Sequence, residues 1–357
     1  VSSMENTYGN PSSLHQIGME ANDALQTARE QIARCLGCTP KEIYFTSGGS
    51  ESDNWAVKNI AAACKKKGRH IITTNIEHHA ILNSCEYLEK LGYDVTYLEV
   101  DGDGLISPEQ VMDAIRPDTT LISVMFANNE VGTIEPIYQI GKIAREKQIL
   151  FHTDAVQAYA QIPLSVKYYP VDLLSASAHK FHGPKGVGFL YIRDGIDIPS
   201  FIHGGSQERG KRAGTENVAG IVGMAKAAEI AYGNMRKRVQ KEIMLRNYLI
   251  ERVMHEIPDA KLNGHRSIRL PGNVNFSFKG LEGASLLILL DEDGICASGG
   301  SACNTGEERI SYVIKALGVP EEYAPGTIRL TLCGDTTRAD VDAALVSLKR
   351  NIAVLRG

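Results

Sequence analysis

The residues best placed to do chemistry lie in the run Asp172-Leu-Leu-Ser-Ala-Ser-Ala-His-Lys180-Phe-His-Gly-Pro-Lys-Gly-Val-Gly188. A short apolar stretch (Val171, Leu173, Leu174) leads through Ser177 and His179 to Lys180 and then into a glycine-rich loop. That pattern presents an amine at the carbonyl end of a strand, with phosphate-binding groups beside it. Such an amine is suited to a Schiff base with pyridoxal 5′-phosphate (PLP), which needs a covalent lysine and an anion cradle. Most lysines are only solvated surface groups, so Ser-x-His-Lys by itself is weak. Asp154 strengthens it, at the end of Ile149-Leu-Phe-His-Thr-Asp154. A carboxylate at a strand end keeps a pyridinium nitrogen protonated and lets the ring act as an electron sink.

Other groups are ambiguous or ordinary when taken alone. Ser47-Gly-Gly-Ser50 precedes a helical pattern; it is either an anion site built from glycine backbone and a helix N-terminus, or a strand–helix turn with Ser50 as N-cap. Taken alone, His78 reads as a cap or surface residue before a helix, Gln157 as a polar helix-start residue and Asn129 as a turn residue. Arg329 lies in an apolar strand pattern (Ile328, Leu330, Leu332) where a charge needs a partner. Of seven cysteines, Cys303 stands in a Gly/Ser run, Ser298-Gly-Gly-Ser-Ala-Cys303-Asn-Thr-Gly306, that is not core-like. A thiol on such a loop suits a nucleophile that must visit a cofactor and then hand on its cargo. Cys296 and Cys333 fall in strand-like patterns and read as packing, and Cys35-x-x-Cys38 as a helix end followed by a turn.

Several blocks occur together and in order: Tyr8-Gly-Asn-Pro-Ser-Ser13, Phe45-Thr-Ser-Gly-Gly-Ser-Glu-Ser-Asp-Asn54, Glu77-His78, Asn128-Asn-Glu-Val-Gly132, Asp154-Ala-Val-Gln157, Ser177-Ala-His-Lys180, Arg212-Ala-Gly-Thr-Glu-Asn217 and Ser298 to Cys303. With them the chain resembles, over essentially its whole length, the group I (NifS/IscS-type) cysteine desulfurases, fold-type I PLP enzymes of the class V aminotransferase family. The resemblance implies an L-cysteine desulfurase that yields L-alanine and a persulfide on Cys303. It implies Lys180 as the cofactor lysine and base, Asp154 at the ring nitrogen, His78 stacked on the ring where it can shuttle a proton, and Gln157 at the ring hydroxyl. Gly49, Ser50, Ser177 and His179 are implied as phosphate contacts, and Thr215 as a phosphate contact reaching across a homodimer. Asn129 and Arg329 are implied to grip the substrate carboxylate. A sulfur acceptor, such as an iron–sulfur scaffold or a tRNA-thiolation protein, is the implied partner. A selenocysteine lyase and a PLP aminotransferase share the cofactor site; the aminotransferase has no use for Cys303. A non-catalytic sulfur-relay subunit is disfavoured by the intact set of Asp154, Lys180 and Cys303. A nicotinamide-binding protein lacks its expected G-x-G-x-x-G.

The elements that must position these residues read as an α/β fold. Helical and strand patterns alternate from residue 15 to about 200, predicting a mainly parallel sheet of the seven-stranded type. Expected helices include 15–36 and 51–67; expected strands include 42–46, 70–74, 95–100, 120–126, 150–153 and 188–192. Residues 217–256 read as helical. Beyond 258, strands at 273–278, 295–297 and 327–332 and helices at 283–290, 310–317 and 338–355 suggest a small α/β domain. The expected division is an N-terminal segment 1–14, a large PLP-binding domain 15–245 and a small C-terminal domain 246–357. Relatives begin with a strand ahead of the Tyr-Gly-Asn-Pro block and some end in a longer docking tail, so both are expected to be missing here.

With 357 residues the chain can bury a large core. Its formal net charge of −4 implies no general nucleic-acid or membrane field. No apolar stretch approaches a bilayer span and no signal-peptide pattern is seen. An odd number of scattered cysteines suggests free thiols in a reducing compartment, and a cytoplasmic location is expected. No cluster has metal-ligand spacing, so no metal is expected.

Overall fold

A computed structural model describes residue 4, residues 8–299 and residues 310–357. Their contacts separate two units. One comprises residues 8–98, Ser107–Phe126 and Pro136–Asn234; the other comprises Glu99–Ile106, Ala127–Glu135 and residues 235–299 and 310–357.

The first unit runs α1 (Gln16–Leu36), β1 (Ile43–Thr46), α2 (Gly49–Cys64), β2 (His70–Thr74), α3 (His79–Lys90), β3 (Asp94–Leu98), α4 (Pro108–Ala114), β4 (Thr119–Ser123), α5 (Ile137–Glu146), β5 (Leu150–Asp154), β6 (Leu173–Ser177), β7 (Gly188–Ile192) and α6 (Val218–Gly233). Its seven strands are ordered β1-β7-β6-β5-β4-β2-β3. β2 pairs in parallel with β3 and β4, β4 with β5 and β5 with β6, whereas β7 is antiparallel to both β1 and β6. The reversal of β7 follows from its connection: the ten residues between Ser177 and Gly188 hold no crossover helix, and a parallel neighbour would need one. Strands β2, β4, β6 and β7 are buried throughout, which is why they read as apolar runs rather than alternations. Trp55, Ala56 and Ile60 of α2 pack with Leu121, Leu173 and Leu190 of the sheet, so α2 is held rigidly against it. Cys35-x-x-Cys38 is the end of α1, with the N–H groups of Gly37 and Cys38 both donating to Ala33 O.

The second unit holds α7 (Met235–Glu256), β8 (Ala260–Leu262), β9 (Asn273–Phe278), α8 (Gly283–Glu292), α9 (Tyr312–Ala316), β10 (Thr327–Thr331) and α10 (Arg338–Arg356). Its sheet is antiparallel in the order β10-β9-β8. Val274, Phe276 and Phe278 of β9 meet Leu249 and Val253 of α7, Leu286 of α8 and Leu345 of α10 in one apolar core.

One expectation is corrected here. Residues 295–297 form no strand: Ile295 N–H closes the end of α8 on Leu290 O, and only Ser298 bridges to Arg329. Ile295 and Ala297 pack on the core while the alternate residue, Cys296, faces solvent, so Cys296 is not a packing cysteine. Among the described residues no helix is long and apolar enough to cross a membrane.

Candidate active site

Strand β6 ends at Ser177, and one turn of 3-10 helix (Ala178–Phe181) then carries His179 and Lys180 out to solvent. The fully buried strand fixes the turn, and Ala178 N–H is held by Val187 O. Ser177 Oγ lies 2.9 Å from His179 Nδ1. The start of α2 comes to the same place. Its N-cap is Gly48, not Ser50, with φ 152° and ψ −174°, a region essentially closed to other residues. A Cβ on Gly48 would stand 3.4 Å from Ser177 Oγ. A Cβ on Gly49 would fall 2.6 Å from Val156 Cγ2, so glycine here lets α2 approach the turn that follows Asp154. Gly49, Ser50, Ser177 and His179 are therefore gathered around one helix N-terminus.

Asp154, the last residue of β5, is 6% exposed, and its Oδ1 accepts the Val156 N–H at 2.8 Å. Burial pushes its carboxyl up to about 6, opposed by the Val156 hydrogen bond and by the positive charge of Lys180. His78 is the N-cap of α3, its Nδ1 accepting from Ala80 N–H at 3.1 Å. Burial, His79 and Lys180 together hold its imidazole below the usual range. The cap uses Nδ1 and so places the proton of the neutral ring on Nε2. Asp154 and His78 each feel Lys180, so the three share one electrostatic neighbourhood. Gln157 lies half-buried in the turn after Asp154.

These groups fit PLP. No hydrogen bond among the described residues takes the N–H of Gly49 or Ser50, which leaves two donors at a helix N-terminus for a phosphate. The buried carboxyl of Asp154 is matched by a cationic ring N–H, and the exposed amine of Lys180 by an aldehyde carbon.

Thr215 is exposed and lines a cleft of about 190 Å³ with Thr46, Val187, Glu208 and Arg212. Its loop is anchored by a buried bidentate pair, Arg29 Nη1 and Nη2 to Glu208 at 2.8 and 2.7 Å, and by Arg212 to Glu51 at 2.9 Å. Asn129 and Arg329 belong to the second unit, where Arg329 Nη1 donates to Asn129 O at 2.6 Å. Cys303 lies outside the described residues.

Sequence reasoning assigned no role to a buried group behind Asp154. Asp53 of α2 is 1% exposed and its Oδ1 has no hydrogen-bond partner; it stands 3.8 Å from His152 Nε2. His152 is held between Ser123 Oγ at 2.9 Å and Ser175 Oγ at 3.0 Å. Burial raises the Asp53 carboxyl, as does the nearby Asp154, and burial drives His152 down to about 3. Burial thus disfavours the charged form of Asp53 and of His152 alike. The one signal was a histidine and an aspartate in otherwise apolar or helical runs.

The class V aminotransferase family model matches residues 2–344. The chain is 53% identical over 353 residues to the cysteine desulfurase IscS of Dictyoglomus turgidum, spanning 99% of this chain and 90% of that protein. It is 52% identical to the cysteine desulfurase IscS of Methanosarcina thermophila, with 99% and 87% covered. A solved NifS-like protein matches with a TM-score of 0.93 at 41% identity, over 99% of this chain and 94% of that one. SspA in complex with cysteine matches with a TM-score of 0.83 at 37% identity, over 94% of each chain.

Proposed function

This chain belongs to the class V aminotransferase family, and from that premise we propose how its residues divide the work of a PLP-dependent cysteine desulfurase. The activity is the one its full-length relatives carry. The observation that supports the division of roles is the grouping of Lys180 with buried Asp154 and with His78, beside a helix N-terminus with two unused donors.

PLP, when bound, would supply an electron sink for the carbon next to the substrate amine. Asp154 would keep the ring nitrogen protonated, Gln157 would reach the ring hydroxyl, His78 would stack on the ring, and Gly49, Ser50, Ser177 and His179 would hold the phosphate. The Lys180 amine, in its neutral form, would remove the Cα proton and return it. Arg329 holds the substrate carboxylate with paired N–H groups, and Asn129 adds a further contact. The Cys303 thiolate attacks the substrate sulfur: an S–S bond forms, the Cβ–S bond breaks, and its electron pair stays with the carbon fragment, which is protonated to L-alanine. L-cysteine and the Cys303 thiol thereby become L-alanine and a Cys303 persulfide, without any added oxidant or reductant.

The persulfide passes to an acceptor protein, such as an iron–sulfur scaffold, by thiol exchange. That exchange suits a reducing compartment such as the cytoplasm. The working unit is a homodimer in which Thr215 contributes to the partner's phosphate site. The direct test is the release of alanine and sulfide from L-cysteine with a thiol reductant present. Cys303→Ala should retain PLP and the spectral response to cysteine while alanine release falls to background. Wild-type turnover in that variant would remove Cys303 from the reaction.

A further inference from the structure

Strand β9 has a composition that its burial does not favour. All six of its residues, Asn273-Val-Asn-Phe-Ser-Phe278, are buried. Val274, Phe276 and Phe278 face the apolar core, so Asn273, Asn275 and Ser277 occupy the opposite face, also away from water. A buried amide without partners costs a few kcal/mol in mutational terms, so such a face persists only where something satisfies it.

What satisfies it is the loop that carries Asn129. Asn273 Nδ2 and Asn275 Nδ2 both donate to Glu130 O at 3.2 Å. Arg269 Nη2 donates to Val131 O at 2.7 Å, and Leu270 N–H to Gly132 O at 2.8 Å. Arg329 Nη1 takes Asn129 O. Four successive carbonyls, 129 to 132, are thus each held by a donor from the same unit. From within the loop, Asn128 Oδ1 accepts the N–H groups of Glu130 and Val131. The fit is close: a Cβ on Gly132, whose φ is 79°, would lie 2.5 Å from Asn273 Oδ1.

Asn275 is central to this arrangement. It is the register partner of Arg329 across the β9–β10 pair, so the two side chains share a face. It is 0% exposed, and Asn263 Nδ2 donates to its Oδ1 at 2.8 Å. That bond orients the amide so that its Nδ2 points to Glu130 O. Asn263 is itself tied to Ser277 Oγ at 2.7 Å, and Ser277 Oγ to Thr327 Oγ1 at 2.7 Å. A chain of fully buried polar groups therefore runs along β9 and ends on the backbone one residue from Asn129.

We propose that Asn275, seconded by Asn273 and Arg269, is the positioning residue of the substrate-carboxylate clamp, holding the Asn129 loop in register with Arg329 and so selecting α-amino acids over amines that lack a carboxylate. The inference rests on the assignment of Asn129 and Arg329 made above. Asn275 itself touches no substrate.

The test uses the PLP-loaded full chain and reads the visible absorption of the cofactor as L-alanine or ethylamine is titrated in. The two differ by the carboxylate alone. The wild type should bind L-alanine more tightly than ethylamine, and Arg329→Ala should collapse that ratio. Asn275→Ala should lower the ratio roughly tenfold, the usual size of one lost buried hydrogen bond. Its ethylamine affinity, PLP content and unliganded spectrum should be unchanged, and its KM for L-cysteine should rise by a similar factor with kcat little altered. Asn273→Ala, which removes the other donor to Glu130 O, serves if Asn275→Ala does not fold. Ser347→Ala, a buried polar residue of the same unit that bonds Asp293 and Asn351 and not β9 or the loop, should lower thermal stability and leave the ratio alone. A folded, PLP-loaded Asn275→Ala with the wild-type ratio, or with both ligands weakened equally, overturns the inference while a collapsed Arg329→Ala ratio leaves the clamp standing. An unchanged ratio in Arg329→Ala overturns both.

Discussion

Burial opposes the charge of Asp154, and the Val156 N–H and the positive charge of Lys180 only partly offset it. With its carboxyl pushed up to about 6, PLP should bind less tightly as pH falls through that value, because a protonated Asp154 cannot hold a pyridinium. In the apoprotein the sign is opposite. The folded state then binds the proton more readily than the unfolded chain, so stability should decline as pH rises from the ordinary carboxylate range through about 6. Asp154→Asn should flatten both profiles; cofactor titrations and thermal melts across pH check them, and a slope surviving in that variant would assign it to another group. Lys180 is tested separately: borohydride reduction of the loaded protein should leave the cofactor mass on the Lys180 peptide, and a label on any other lysine would overturn its role. Lys180 and Asp154 could be recognised from residue type and strand-end position. Asp53 and His152 could not, since their meaning lies in a 3.8 Å approach between a helix and a strand.

At the scale of elements, the junction of α2 with the turn after β5 is where the proposed phosphate site lies. Gly48 holds a conformation reserved for glycine, and Gly49 allows a contact that a methyl group would close. Gly48→Ala should cost about 1–3 kcal/mol from backbone strain and weaken PLP binding, seen as a lower melting temperature and cofactor loss on dialysis. Gly49→Ala should act differently, by pressing on Val156 and so disturbing the N–H that Asp154 accepts. Its signature is a shifted pH dependence of PLP binding; a variant with wild-type binding at every pH would mean that Val156 gives way freely. The alternation Asn-Val-Asn-Phe-Ser-Phe made β9 legible as a strand, but as half-buried. That its polar face is buried too depends on the loop 128–132, which lies about 140 residues earlier in the chain.

At the scale of the whole molecule, Arg29 and Glu208 form a buried pair across 179 positions of sequence. It anchors the loop that exposes Thr215, together with two consecutive non-glycine residues at positive φ, Glu208 and Arg209. Such strain persists only where the surroundings over-determine it. If Thr215 serves the partner's site, mixing Thr215→Ala with Lys180→Ala subunits should produce a Lys180-competent site supplied with an intact Thr215. That site should hold PLP better than the Thr215→Ala homodimer does. Equal affinity in mixed and parental dimers, or full activity in a sedimenting monomer, would end the shared-site reading.

The sequence alone determined those features that depend on residue type and local period. These are the lysine in its Ser-x-His-Lys run, the strand-end aspartate, the alternating α/β order, the glycine-rich helix entry and the family blocks. Each is short-range, so neighbouring residues state it in full. Tertiary structure decided what depends on approach between distant segments. It reversed β7, made the N-cap of α2 Gly48 instead of Ser50, turned Cys296 to solvent, paired Asp53 with His152, and set the polar face of β9 against the carbonyls of the Asn129 loop. Burial of a polar group is the common cause. Its favourable partner is chosen by packing, and no local pattern of residue types encodes which distant carbonyl or hydroxyl will be there to meet it.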